Sequence, residues 1–263
     1  MNNSLQRIIV MIVRCFIFER RTFFRIADFF YYPTLDIVVW GFASAWIAQT
    51  NPHATTAIPS ITTAIALWLI CTRANYEVSV NLIDEIWNRS LVTMFSTPLS
   101  FGEWVIAILT TSVIKIIFLQ FFCSTLIYLF YGYNIFSIGG IFFVFALLLT
   151  IFGWILGLVG AGIIINWGHN VSPIPWMIPY LFVPISAVYY PLSTLPTWLK
   201  TGAYFFPAAY LFESLRTFIE TGIVDYQALA VSTALNFLYF VAALLFFKAM
   251  FRKSLTKGFG RFD

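Results

Sequence analysis

The chain has 263 residues, of which 60% are hydrophobic, 20% aromatic and only 10% charged. A soluble domain carries about 25% charged residues, so this composition excludes an ordinary soluble domain and points to a polytopic membrane protein. The net charge of +4 does not point to nucleic acid, because ten of the 15 Lys and Arg residues lie in 1–25 or 248–261, flanking the apolar block. That is where the positive-inside rule puts cytoplasmic ends.

The first 27 residues read as an amphipathic interface helix. At 100° per residue, Arg7, Arg14, Arg21 and Arg25 fall within about 40° of one another, with Leu5, Ile9, Ile12, Phe16 and Phe23 opposite. The basic stripe is expected to face water or lipid headgroups, as an anchor, as a surface for a cytoplasmic partner, or as both. The apolar run after Arg7 is interrupted by Arg14 and followed by basic residues, which argues against a cleavable signal peptide. Six apolar segments then approach the length of about 20 residues that a spanning helix needs. They are 29–48, 58–77, 103–130, 139–165, 175–191 and 226–248. The 49–57 and 131–138 loops hold no Lys or Arg and read as external. An even number of spans puts both basic termini in the cytoplasm.

The inner loop, 78–102, carries Asp84, Glu85 and Arg89. Val80, Ile83, Trp87 and Leu91 recur at helical spacing, with Leu82, Ile86 and Met94 on an adjacent stripe, which predicts a short amphipathic helix on the cytoplasmic face. Ser100 and Glu103 match a capping box that opens the third span. Near the other end, 182–216 begins as a span and is broken by Pro184, Pro191, Pro196 and Pro207. Irregular backbone at membrane depth needs protein or a wet cavity around it. The segment ends in Glu213 and Arg216, spaced so that they can pair on one helix face.

Individual residues leave alternatives open. Lys115 lies within the third span and Asp36 early in the first. A lone charge there is costly, so the two either pair with each other or face a cavity that a substrate enters. Arg73 and Glu77 are spaced to pair or snorkel. Gly153, Gly157 and Ala161 predict close helix packing on the fourth span, within one subunit or between two. Cys15, Cys71 and Cys123 are scattered in apolar sequence, and His53 and His169 lie in different loops, so no metal site is expected. Most of the Trp and Tyr residues near the span ends read as interfacial belts, with a few left to stack against sugar rings or apolar groups in a conduit.

NLIDEIWNRSLVTMFSTPLSFGEW, residues 81–104, resembles the coupling region of ABC-2 type export permeases. Glu85 stands at the family's acidic position, Ser90-Leu91 at its Thr-Leu and Thr97-Pro98-Leu99-Ser100 at its end; Arg89 replaces the usual Gly and Val92 the usual Glu. The later segment resembles the family's second signature through Tyr190-Pro191, Leu195-Pro196, Trp198-Leu199, Pro207, Glu213 and Arg216, with Phe206 where Asn is frequent. The resemblance implies an all-α fold, with 1–263 a single ABC-2 type transmembrane domain: an interface helix at 1–27, a coupling loop at 78–100 and two short re-entrant outer helices within 192–222. It implies a homodimer docked on two copies of an ABC ATPase subunit, in a bacterial inner membrane. Asp84, Glu85, Trp87, Arg89, Leu91, Met94 and Phe95 would receive the ATPase's movement. Tyr190, Pro191, Pro196, Trp198, Pro207, Glu213 and Arg216 would form an outer gate. The chain has no phosphate-loop motif, so it is expected to bind no cofactor, with ATP and Mg held by the partner. The cargo would be a lipid-linked glycan, a lipid or a hydrophobic drug-like compound. An integral membrane enzyme acting on lipids, or a passive channel or scaffold, are the other classes that such a composition admits.

Overall fold

A computed structural model describes residues 4–20, 23–51, 56–87, 97–171 and 173–257. Among these residues the chain is all helical, without strands. The α-helices are α1 (Ser4–Arg20), α2 (Phe23–Thr50), α3 (Ala57–Trp87), α4 (Phe101–Tyr131), α5 (Ile141–Trp167), α6 (Ile174–Phe182), α7 (Thr197–Ala203), α8 (Pro207–Thr221) and α9 (Tyr226–Lys257). Four of them are long and apolar enough to cross a membrane, over Ala57–Glu85, Gly102–Tyr131, Ile141–Trp167 and Tyr226–Ser254. They are consistent with a membrane protein.

The other two expected spans differ. α2 is continuous through 29–48 but carries Asp28, Asp36, adjacent tyrosines and Pro33, and it is not among the four apolar helices. The segment 175–191 is not one helix. α6 has nine residues, or about 14 Å at 1.5 Å per residue, against a hydrocarbon core of about 30 Å. Beyond it Pro184 has no N–H for a helical bond and its ring clashes with the preceding turn. Ala187 then adopts a left-handed backbone, φ 54°, and the chain turns away.

Local signals act where the sequence puts them at the start of α4. Ser100 Oγ accepts from the Glu103 N–H at 3.3 Å, and Glu103 Oε2 accepts from the Ser100 N–H at 2.8 Å. α4 ends at Gly132, whose φ of 65° suits a residue without Cβ. At the preceding loop the outcome is different. α3 runs unbroken to Trp87, so the first half of the expected 78–102 loop is a continuation of the second span, with Val80, Leu82 and Ile83 buried on it. Arg89, Leu91, Met94 and Phe95 lie outside the described residues.

α3 is the central column, packed by α2, α4, α5, α6 and α8. Two-thirds of its apolar window is buried, against 17% for α9, whose Phe237, Leu238 and Leu245 face outward. The small residues of α5 pack within the chain. A Cβ on Gly157 would stand 2.7 Å from Val78 Cβ and 2.9 Å from the Asn75 carbonyl oxygen, and Ser79 Oγ donates to the Gly157 carbonyl at 3.1 Å. This close approach brings α5 against α3 along the stripe of Gly153 and Gly157. Gly157→Val is therefore expected to lower stability by ~1–3 kcal/mol through overpacking. A thermal melt of the purified protein should show the loss, while Gly202→Ala, which meets nothing within 4 Å, should melt near the parent.

Candidate functional site

Three features converge on the side of α3 that faces α1, α2 and α6: a lattice of ion pairs, a backbone break and a cleft. The lattice begins with α1. Two of its arginines, Arg7 and Arg14, are ion-paired to carboxylates of the neighbouring helices. Arg7 pairs with Glu103 at the start of α4 at 2.6 Å, Arg14 with Glu85 at 2.7 Å, and Arg25, on α2, with Asp84. Leu5, Ile9, Val10, Val13 and Ile17 are exposed. The basic stripe thus meets protein as well as solvent, because the end of α3 and the start of α4 offer three carboxylates that compete with water for the guanidinium groups. The hydrogen bonds to Glu103 raise the pKa of Arg7 and hold it charged.

Deeper in, Lys115 is not paired with Asp36. It pairs with Glu77 at 2.7 Å and with Glu19. Arg73 pairs with Glu77 at 2.7 Å, as their spacing suggests, and with Glu19 at 2.8 Å. Two acids and two bases form a closed, neutral group. The Lys115 side chain is 6% exposed and that of Glu77 2%, so neither has water to solvate it. Such charges persist only when paired. The Arg73 guanidinium also lies over the Phe29 and Tyr76 rings at 4.5 and 5.1 Å. Glu19 is the member that sequence reasoning missed. Its signal was a single carboxylate within the otherwise basic first helix.

The break is held from α8. Arg216 Nη2 donates to the Ala187 carbonyl and, at 2.9 Å, to that of Val188. Glu213 Oε2 accepts from the Leu192 N–H at 3.2 Å and lies 3.3 Å from Arg216 Nη1. The i, i+3 pair spans the irregular segment and meets its free backbone groups, which an apolar surrounding would leave unsatisfied. Burial lowers the pKa of Arg216, and Glu213 opposes that shift. Tyr190 donates to the Pro184 carbonyl at 2.9 Å. Pro196 precedes α7, Pro207 opens α8, and the Pro207 carbonyl accepts from Ser232 at 3.0 Å. Pro191 and Pro196 are exposed, and Trp198, 74% exposed, joins none of these contacts.

Between α2 and α6, floored by α3, lies a cleft of about 520 Å3. Asp28, Tyr32 and Asp36 reach it from one face of α2 at i, i+4, i+8 spacing. Trp40, the next position on that stripe, stacks on Tyr189 at 4.0 Å and 11°. Several of the tyrosines and tryptophans near the span ends line this cleft, including Tyr32, Trp68, Trp176 and Tyr189. Of the predicted coupling residues, Asp84 and Glu85 are tied to α2 and α1, and Trp87 closes α3. The chain matches no family model and no curated protein compared with it.

Removing one partner of the buried group leaves the others uncompensated, so Lys115→Met is expected to cost ~3–5 kcal/mol. The double variant Lys115→Met/Glu77→Gln should recover part of that loss in a denaturation series. Arg216→Met strands two carbonyls, at ~1–3 kcal/mol each. Hydrogen exchange should then rise over residues 185–195 while the centre of α3 stays protected.

Proposed function

We propose that this chain is the transmembrane subunit of an ATP-driven ABC-2 type exporter, moving an amphipathic substrate outward across a bacterial inner membrane. In this reading two copies form the transport unit, both termini are cytoplasmic, and two separate ATPase subunits, which carry ATP and Mg, dock below the inner loop. The observation that carries it is a set of ion pairs at the end of α3 and the start of α4, the two flanks of the expected coupling loop. The loop's two flanks, Asp84 and Glu85 on one side and Glu103 on the other, are ion-paired to Arg25, Arg14 and Arg7. A push at the end of α3 and the start of α4 would move α1 and α2 with them.

From there the movement has a continuous physical route. The Glu19–Arg73–Glu77–Lys115 group joins α1, α3 and α4 one level deeper, and Arg73 also lines the cleft. At the far end, α7 and α8 and the break they hold act as the outer closure, with Arg216 and Glu213 as its clasp. The cargo, a lipid-linked glycan, a lipid or a drug-like compound, would need both the apolar and polar lining of such a path.

Charge reversal tests these ion pairs. In vesicles containing the chain with a co-purifying ABC ATPase, Arg14→Glu is expected to lower ATP-dependent export about tenfold, equivalent to ~1.4 kcal/mol of lost coupling. Arg14→Glu/Glu85→Arg should restore much of it. An ATPase that never co-purifies with the chain, or export indifferent to the single reversal, would overturn the assignment.

A further inference from the structure

The charge balance of the cleft is incomplete. Arg73 is the only Lys or Arg among its described lining residues, and Glu19 and Glu77 already neutralise it together with Lys115. Asp28 and Asp36 line the same cleft, and among the described residues neither has an ion pair or a hydrogen bond. A third acceptor stands with them. Asn75 lines the cleft and is 1% exposed; its Nδ2 donates to the Pro175 carbonyl at 2.7 Å, which leaves a buried Oδ1 with no donor. A buried acceptor without a donor costs about 1–3 kcal/mol, so an occupant that donates there is favoured.

The walls narrow the choice further. Tyr32, Trp68, Tyr76, Trp176, Tyr180 and Tyr189 surround the three acceptors. Aromatic faces attract cations and bury apolar bodies at once. The cleft already shows this preference internally, since the Arg73 guanidinium rests on Phe29 and Tyr76. Its volume of about 520 Å3 lies within the range of small-molecule sites. An anion would meet two carboxylates outside any ion pair there; Arg73 and Arg25 act on Asp28 from a distance, but an uncharged lipid would leave Asp36 without a counter-charge.

We propose that the cleft between α2, α3 and α6 binds an amphipathic ammonium cation, its charge balanced by the carboxylates of Asp28 and Asp36, its N–H groups directed at those acceptors of the cleft that lie within reach of one nitrogen, and its apolar body held between the aromatic walls. This names the cargo class of the exporter described above. It rests on that reading for transport, and on the cleft alone for binding.

The test uses the full chain in phosphatidylcholine nanodiscs, without any ATPase, with empty nanodiscs subtracted. The probe is N-butyl-1-naphthylmethylammonium, and its N-acetyl derivative is the uncharged match; binding is read by calorimetry. Saturable binding of the cation is expected, with the uncharged derivative at least about tenfold weaker, or ~1.4 kcal/mol. Asp36→Asn should weaken the cation about tenfold and leave the uncharged compound unaffected. Asp36→Glu should retain binding, and Glu220→Gln, which neutralises an exposed carboxylate on α8, should bind as the parent does. If Asp36→Asn does not fold by size exclusion, Asp28→Asn carries the same expectation. Equal affinity for the two compounds, no saturable binding, or a cation that ignores both substitutions overturns the proposal. Cation binding by a chain that never associates with an ATPase would overturn the exporter and uphold the site; ATPase-driven export of a substrate with no cation binding would do the reverse.

Discussion

Lys115 sits 6% exposed in the middle of an apolar helix, and most of the surrounding arrangement follows from what such a charge requires. A single carboxylate would neutralise it, but Glu77 is also shared with Arg73. Two bases therefore need a second acid, and Glu19 supplies it from α1. That demand draws a helix which could have floated at the membrane surface into contact with α3 and α4. Once α1 is held there, Arg7 and Arg14 fall opposite Glu103 and Glu85, and the pairs at the rim become available without further rearrangement. The exposed pairs contribute little stability in themselves. Their effect is to fix which way α1 faces.

The same constraint, applied to backbone rather than charge, explains the region after α6. Prolines stop the helix, and Ala187 takes a left-handed conformation with its residue fully buried. Free carbonyls and N–H groups in such a place need partners within the protein. Arg216 and Glu213 meet this need from one helix face, donor and acceptor three residues apart. In both places a polar group that water would ordinarily satisfy has become a tie between elements distant in sequence. The cleft differs from both. Its carboxylates are left open, and that contrast gives it its chemical character.

Much of the helical layout was legible. Four apolar runs became long helices, the Ser100–Glu103 box opened α4, and the Arg73–Glu77 pair formed, because each depends on neighbours within a turn or on composition over about 20 residues. The Glu213–Arg216 pair was visible for the same reason. Its targets, the carbonyls of Ala187 and Val188, were not, since they lie 29 and 28 residues away. The pairing of Lys115 with Asp36 did not occur, because depth along a span says nothing about which helix face meets which. That Tyr32, Trp68, Trp176 and Tyr189 share one cleft was hidden for a similar reason: position near a span end is a property of sequence, while a shared cleft is a property of three helices together.

What the sequence by itself determined is the four long apolar helices, the cap that opens α4, the proline break after α6, and the presence of charges too costly to leave alone in an apolar medium. These are local quantities, set by hydropathy, proline and residues three or four apart. Only the tertiary structure decided the partners: that Arg7 and Arg14 of α1 meet Glu103 and Glu85, that Glu19 completes the neutral group, that Gly157 lets α5 approach α3 within one chain, and that Asp28, Asp36 and Asn75 share a cleft with unmet acceptors. A charge or a free carbonyl fixes only that a partner must exist. Which one it takes depends on the packing of helices that brings distant residues within hydrogen-bond reach.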